Sequence, residues 1–567
     1  MASVITHLVL ARGRACLACR ARKRRCDGLK PTCTACAKMK RWTTCVYDDA
    51  PAPIHDTMPA REQASLRDKI GKLKELIRNE FEESSGLHSA FGGHVTTAVS
   101  LPLPALDARR RLLFAAKTRV QAPIADPHLD WWKHGGDVPP VIRDSLIDHC
   151  AQYGWHFSFH HNFRRLRASL ELPATHPKAP HPALLYAVLL AGCVYIPSPL
   201  RRYESVFLLR ARQHLSQLLT TGTKIFDFLC ASALAGCHLY SKGRMREGHY
   251  HISAAARFAV GCGLHKIKSL ALDAQTPTPL LSPSIDLIEL GDRINMFWLL
   301  VCFDRVGSLV LAVPETITDK EISTLWPCPS TFYEDGRAFF QTAGSIRMLD
   351  DLESLRQIKD DNFVALRQKA VMLLARTSAL SARAKSGDPD DTALKSEIFM
   401  NCQSTLAFAN SLPVFKVQEG DADDLNSAGS LLSVAFVAAY SAVVQSYGII
   451  AQIDPLAREV QSYAAKEAMI IVRSLDQMPL FYVPLLIGWC VTPVHEFLVR
   501  ESLRLTEVGQ SEDAAAMKRD IQLLLRIIKR VAELFPAITT IVADVIDRNV
   551  ELIRKEAAYG GMNSSTL

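Results

Sequence analysis

CLACRARKRRCDGLKPTCTACAKMKRWTTC, residues 16–45, places six of the chain's fifteen cysteines within thirty residues and surrounds them with lysine and arginine. The spacing over Cys16, Cys19, Cys26, Cys33, Cys36 and Cys45 is C-x2-C-x6-C-x6-C-x2-C-x8-C. It divides into two similar halves, each a C-x2-C pair followed by a third cysteine. Two intervening residues let paired sulfurs face one point, and tetrahedral zinc takes four such ligands. Six sulfurs satisfy two ions only when two sulfurs are shared, and the pseudo-symmetry of the halves nominates Cys16 and Cys33. Two other readings use the same residues. A single-zinc ribbon takes Cys16, Cys19, Cys33 and Cys36 and leaves Cys26 and Cys45 idle. A disulfide knot needs an oxidising compartment. The first ten residues, MASVITHLVL, have no positive n-region and no small-residue cleavage site, so no secretory signal is expected.

Charge separates the same segment from the rest. The chain has 567 residues and a formal charge of +8, yet residues 1–47 alone hold eleven Lys/Arg against Asp27, which leaves the remainder at about −2. Such a basic head favours a polyanionic partner. The hydrophobic content of 48% is enough for a large folded body, and the length points to more than one domain.

The six-cysteine pattern, with RARKRR at residues 20–25 between the second and third ligands, resembles the fungal binuclear zinc-cluster transcription factors. Asp27-Gly28 and Pro31 match as well. The resemblance implies two zinc ions on Cys16, Cys19, Cys26, Cys33, Cys36 and Cys45, with the first cysteine of each half bridging the metals. It also implies double-stranded DNA as partner. A short helix enters the major groove and reads a CGG triplet, with Lys23 as the base-contacting side chain. Arg20, Lys23 and Arg24 share one helical face. Arg20, Arg22, Arg24, Arg25 and Lys30 are expected on phosphates, joined from the second half by Lys38, Lys40 and Arg41. As a bare charge run, RARKRR also reads as a solvated face or a nuclear-import signal.

Residues 12–47 are therefore expected to form the DNA-binding module, followed by a proline-rich linker at 48–60. In REQASLRDKIGKLKELIRNEFEE (61–83), Leu66, Ile70, Leu73 and Ile77 follow a 4-3-4 spacing, that of a coiled-coil seam. A homodimer follows from that reading, and an amphipathic helix docked on the body is the alternative. Residues 84–119 read as a second linker.

From 120 to 560 the apolar periodicity is helical, and the expected fold class is all-α. Ile521, Leu524, Leu525, Ile528, Val531 and Phe535 form one stripe, and Ile294, Phe297, Trp298 and Val301 another. TPTPLLSPS (276–284) and SGDPDD (386–391) interrupt the helices. GHYHISAAARFAVGCGLHK (248–266) and DRINMFWLLVCFDRVGSLVLAVP (292–314) resemble the middle-homology regulatory domain of the same family. The matching positions are Gly263-Leu264-His265, Arg293, Trp298, Asp304-Arg305 and Pro314. Ala312-Val313-Pro314 stands where Gly-Arg-Pro is common. The resemblance implies a body that engages transcription machinery or a corepressor inside a nucleus.

No nucleotide-binding, nucleophile-elbow or zinc-protease motif occurs, so no enzyme activity is expected. HFSFHH (156–161) and HYH (249–251) read as core or surface histidines, and the nine cysteines outside the head as small buried hydrophobes. Asp304-Arg305 reads as a helix-end ion pair. LNSAGSLLSVAFVAAYSAVVQSYGIIAQI (425–453) is uncharged and long enough to span a membrane, but its serines, tyrosines, glutamines and asparagine favour a buried core helix. No membrane partner is expected.

Overall fold

The computed structural model describes residues 16, 18–19, 26–27, 32–38 and 45 of the cysteine-rich head, and residues 131, 136–194, 199–341, 344–386, 391–415, 422–451 and 454–539 of the body. The chain separates into two compact units, Met1–Glu80 and Phe81–Leu567. Every regular element among the described residues is helical, and the fold class is all-α. The seam Leu66, Ile70, Leu73 and Ile77 lies outside the described residues.

The longer helices of the body are α1 (Pro140–Tyr153), α2 (Phe163–Leu170), α3 (Pro182–Val194), α4 (Glu204–Thr221), α5 (Ile225–Ser241), α6 (Met245–Gly261) and α7 (Leu287–Leu311). After them come α8 (Phe363–Ser386), α9 (Thr392–Asn410), α10 (Ala422–Ile450), α11 (Pro455–Asp476), α12 (Thr492–Glu507) and α13 (Ser511–Leu534). Helix α3 packs on α1, α4 and α5, α5 on α6, and α6 on α7. In the second half α10 is the hub, flanked by α8, α9, α11 and α12. The α7–α8 contact joins the halves. Gly192 on α3 lets the backbones of α1 and α3 touch, because a Cβ there would lie 2.2 Å from the Leu146 carbonyl.

The breaks follow local chemistry. Asp286 caps α7 by accepting from the Glu289 amide at 2.8 Å, and Asp391 caps α9 after the SGDPDD break. Helix α6 closes on Gly263 at φ +76°, a left-handed position suited to glycine. Helix α7 closes on Ala312, also left-handed at φ +53°. Ala312 therefore sits where a Cβ costs about 1–2 kcal/mol.

Among the described residues, two helices are long and apolar enough to cross a bilayer, Leu287–Leu311 and Ala428–Ile450, and 83% and 78% of their apolar windows are buried inside the body. In α10 the small side chains Ala435, Ala438, Ala439 and Ala442 admit neighbours on several sides. Two of its buried serines find backbone partners: Ser430 Oγ donates to the Tyr482 carbonyl at 2.7 Å and Ser433 Oγ to the Gly429 carbonyl at 2.8 Å.

Helix α7 is buried on every side from Leu290 to Ser308, as befits the central rod of a large core. Its polar residues reach outward and pin loops. Asn295 Nδ2 donates to the His160 and Cys328 carbonyls at 2.9 and 3.0 Å. Trp298 donates to the Leu325 carbonyl at 2.6 Å and stacks on Trp326 with centroids 4.4 Å apart. The expected Asp304–Arg305 pair is present at 3.6 Å, and each member has a closer partner as well. Asp304 accepts from the Thr316 amide at 2.8 Å, while Arg305 reaches Asp319 at 2.8 Å and Glu315 at 3.0 Å. Adjacent residues on a helix diverge, so each finds its shortest contact in the following loop. The α13 stripe is likewise adjusted. Leu523, Leu524, Ile527, Ile528, Val531 and Leu534 are buried, whereas Ile521 and Leu525 are only half-buried.

The histidine clusters are packed into this core. His156 donates from Nε2 to the Phe481 carbonyl at 2.9 Å and stacks on Trp155. His161 lies 3.2 Å from the Asp292 carboxylate. His249 Nδ1 lies 2.9 Å from the Tyr240 hydroxyl. All nine cysteines outside the head are buried and unbridged.

Candidate metal centre

The described part of the head has almost nothing apolar to fold around. Among its described residues the buried cluster consists of Cys16, Cys19, Cys33 and Cys36, with Ala18, Ala35, Cys26 and Cys45 against it. Sulfur takes the place that leucine and valine occupy elsewhere. Cys33 begins a single helical turn, Thr34–Ala37, and its carbonyl accepts from the Cys36 and Ala37 amides at 2.9 Å each. That turn points Cys36 back beside Cys33. Ala18 and Cys19 are helical in the corresponding place of the first half. Asp27 ties the halves together, both carboxylate oxygens accepting from the Thr34 amide at 3.2 Å.

The sulfurs converge. Cys16 Sγ lies 3.8 Å from Cys33 Sγ and 3.7 Å from Cys36 Sγ. Cys19 Sγ lies 3.7 Å from Cys33 Sγ and 3.9 Å from Cys36 Sγ. Zinc–thiolate bonds of about 2.3 Å put neighbouring sulfurs of a tetrahedron about 3.8 Å apart. The spacing therefore suits that ion.

Two four-sulfur sets lie within 4.8 Å of mutual approach: Cys16, Cys33, Cys36 and Cys45, and Cys16, Cys19, Cys26 and Cys33. Both contain Cys16 and Cys33, the two sulfurs with no solvent exposure. Cys26 and Cys45 sit at the partly exposed rim. The four sulfurs of the two C-x2-C pairs also lie close enough for one ion. What separates this centre from a ribbon is that Cys26 and Cys45 each complete a further set instead of standing apart.

The surroundings bear on charge. Removal from water pushes the Cys16 thiol up to about 12, so a thiolate there calls for a cation beside it. Burial raises Cys33 as well. The Cys33 amide donates to Cys45 Sγ at 3.4 Å and holds that thiol below its ordinary value. The Cys19 amide donates to Cys16 Sγ at 3.4 Å. Amide–sulfur bonds of this kind orient thiolate ligands.

Of the expected DNA-contacting residues, Lys38 is described. It is exposed at the end of the Thr34–Ala37 turn. Arg20, Arg22, Lys23, Arg24, Arg25, Lys30, Lys40 and Arg41 lie outside the described residues. The Asp27–Thr34 tie was not evident from spacing alone; the fixed place of Asp27 directly after the third cysteine is the signal that marks it. Among the described residues, the cysteine sets are the only groups of His, Cys, Asp and Glu close enough to hold a metal ion.

Comparison with known proteins agrees with this geometry. Residues 14–53 match the fungal Zn(2)-Cys(6) binuclear cluster domain, and residues 155–360 match the fungal specific transcription factor domain. The chain carries both domains, and its cofactor is a pair of zinc ions. It is 41% identical over 64 residues to the Nitrogen assimilation transcription factor nirA of Emericella nidulans, a match covering 11% of this chain and 7% of that protein. No solved structure matches the chain.

Proposed function

We propose that this chain is a nuclear, sequence-specific DNA-binding transcription factor of the RNA polymerase II type. In this reading the head over 12–47 binds double-stranded DNA, and the body over 120–560 engages transcription machinery or a corepressor. The observation that carries it is the convergence of all six sulfurs, in two sets sharing Cys16 and Cys33, on a segment that also holds RARKRR. Cys16, Cys19, Cys26, Cys33, Cys36 and Cys45 hold the two zinc ions, with Cys16 and Cys33 bridging. The metals supply the folding free energy and fix the direction of the basic run.

Lys23 donates to guanine acceptors in the major groove of a CGG-like triplet. Arg20, Arg22, Arg24, Arg25, Lys30, Lys38, Lys40 and Arg41 neutralise phosphates and give affinity without sequence choice. Leu66, Ile70, Leu73 and Ile77 pair two copies, so that two triplets are read together. The segments 48–60 and 84–119 are connections.

Selection of bound sites from random DNA with the full chain, loaded with zinc, tests the reading. CGG-containing sites should be enriched, and binding should weaken steeply with salt. Lys23→Ala should cost about 1–3 kcal/mol and relax the triplet preference. Arg25→Ala should weaken all sequences alike and lower the salt slope by about 1. Absence of salt-dependent DNA binding would leave a zinc-held protein adaptor instead.

A further inference from the structure

The ends of α6 and α7 lead into loops that run side by side. The Ser323 amide donates to the His265 carbonyl at 2.8 Å and the Leu325 amide to the Ile267 carbonyl at 2.9 Å. Between them Thr324 Oγ1 donates to the Leu264 carbonyl at 2.5 Å and accepts from the Ile267 amide at 3.2 Å. Glu321 fixes the preceding turn, its carboxylate accepting from the Thr318 amide at 2.9 Å and hydroxyl at 3.0 Å. A third segment, Ile346–Asp350, is held by Arg376 of α8, which donates to Asp350 at 2.8 Å and to Asp319 at 2.5 Å. Three separate stretches of chain thus frame one fixed cleft of 480 Å³.

The walls of that cleft are cationic. Lys266, Lys268, Lys320 and Arg347 line it, and among the described residues none of the four is paired with a carboxylate. The lone acid in the wall, Glu321, is engaged by Thr318 and lies 3.7 Å from Arg257. His265 also lines the cleft, is 8% exposed, and its buried Nδ1 has no hydrogen-bond partner. A solvated charge face needs neither concavity nor an unpartnered polar atom in its wall. The neighbouring charges of the body behave otherwise, since Arg305, Arg376 and Arg293 are all neutralised by carboxylates.

We infer that this cleft is a binding site for a small polyanion, a metabolite carrying several phosphate or carboxylate charges. Its volume falls within the usual range for small-molecule sites, and apart from His265 every side chain that lines it is charged or a serine, which suits a polar ligand. Arginine supplies a planar fork and lysine mobile point charges, the pairing suited to phosphate and carboxylate oxygens. Four cations against one carboxylate match a ligand of about three negative charges, by simple charge complementarity. Binding there would tie together loops anchored on α6, α7 and α8, which gives the body a means of responding to a metabolite. This assignment is independent of the DNA-binding reading of the head.

Calorimetric titration of the full zinc-loaded chain with inorganic pyrophosphate, and separately with citrate, at matched ionic strength tests it. The expected result is saturable binding of one anion per chain in this cleft, and the stronger of the two probes distinguishes phosphate from carboxylate chemistry. The double variant Lys320→Gln/Arg347→Gln should weaken that binding about tenfold or more. Its unliganded melting temperature should be unchanged, because both side chains are exposed. Arg347→Lys should retain most of the affinity, and Lys359→Gln, outside the cleft, should have no effect. Three results overturn the inference: no saturable binding of either probe, equal binding by the double variant (anion captured by the basic head), or a double variant that loses DNA affinity while keeping the anions.

Discussion

The head and the body solve the problem of staying folded by opposite means. The body buries Trp298, Phe297, Tyr447, Phe408 and a continuous stretch of α7, so its free energy comes from apolar surface removed from water. The head's described core is six sulfurs and two alanines, too little apolar surface to offset the chain entropy of even a short module. Its cohesion must come from metal–sulfur bonds. A unit held by ligation can devote its whole surface to cations, which a core-built domain of that size cannot do. This is why thiols and positive charge are crowded into one end of the chain.

That contrast can be broken most forcefully by chelation. Removing zinc should unfold the head, a loss of about 10 kcal/mol or more, while the helical signal and melting of the body stay as they were. Limited proteolysis with and without chelator would read both units at once. The reverse experiment is Trp298→Ala, which removes a fully buried ring stacked on Trp326. It should destabilise the body by about 3–5 kcal/mol, measured by thermal or urea unfolding, and leave zinc content untouched.

Acid separates the units by a different route. Burial holds His156 and His238 down at about 3, below an ordinary value of 6.5. Their folded-state values are depressed, so the stability they contribute is fully present above pH 6.5. It is lost as pH falls toward 3, at about 1.4 kcal/mol per pH unit for each fully buried ring. His161 has the opposite sign. Burial disfavours its charge, but the Asp292 carboxylate 3.2 Å away prevails and raises it. Its contribution is present below pH 6.5 and fades as pH rises through the raised value. Urea midpoints of the body should fall between pH 6.5 and 5, and His161→Asn should remove a loss of stability on the alkaline side. The smallest effect is expected at Ala312. Glycine relieves the left-handed strain but adds unfolded-state entropy, so Ala312→Gly should stabilise the body by about 0.5–1 kcal/mol net, seen as a raised melting temperature.

The two units also differ in how far they can be read from sequence. The head's chemistry is local: ligand spacing states the coordination arithmetic, and the basic run lies between the ligands. In the body, periodicity locates α7 and α13 because a buried helix must repeat its apolar residues. It does not fix register, and the buried face of α13 falls on Leu523 and Ile527 where Ile521 and Leu525 were expected. Nor does it reveal partners in space. Arg305 reads as bound to its neighbour Asp304, and it is, at 3.6 Å, but its closer counter-ions are Glu315 and Asp319, brought back by the loop after α7. The cationic cleft is the extreme case. Lys266, Lys320 and Arg347 belong to three segments with no common motif, brought together by backbone pairing between two loops and by Arg376 holding the third.

Native mass spectrometry of the intact chain, combined with thiol alkylation under non-denaturing conditions, addresses the shared-sulfur centre most directly. Two zinc ions per chain should be found, with Cys16, Cys19, Cys26, Cys33, Cys36 and Cys45 all protected until the metal is stripped. One ion per chain, with Cys26 and Cys45 freely alkylated, would contradict it.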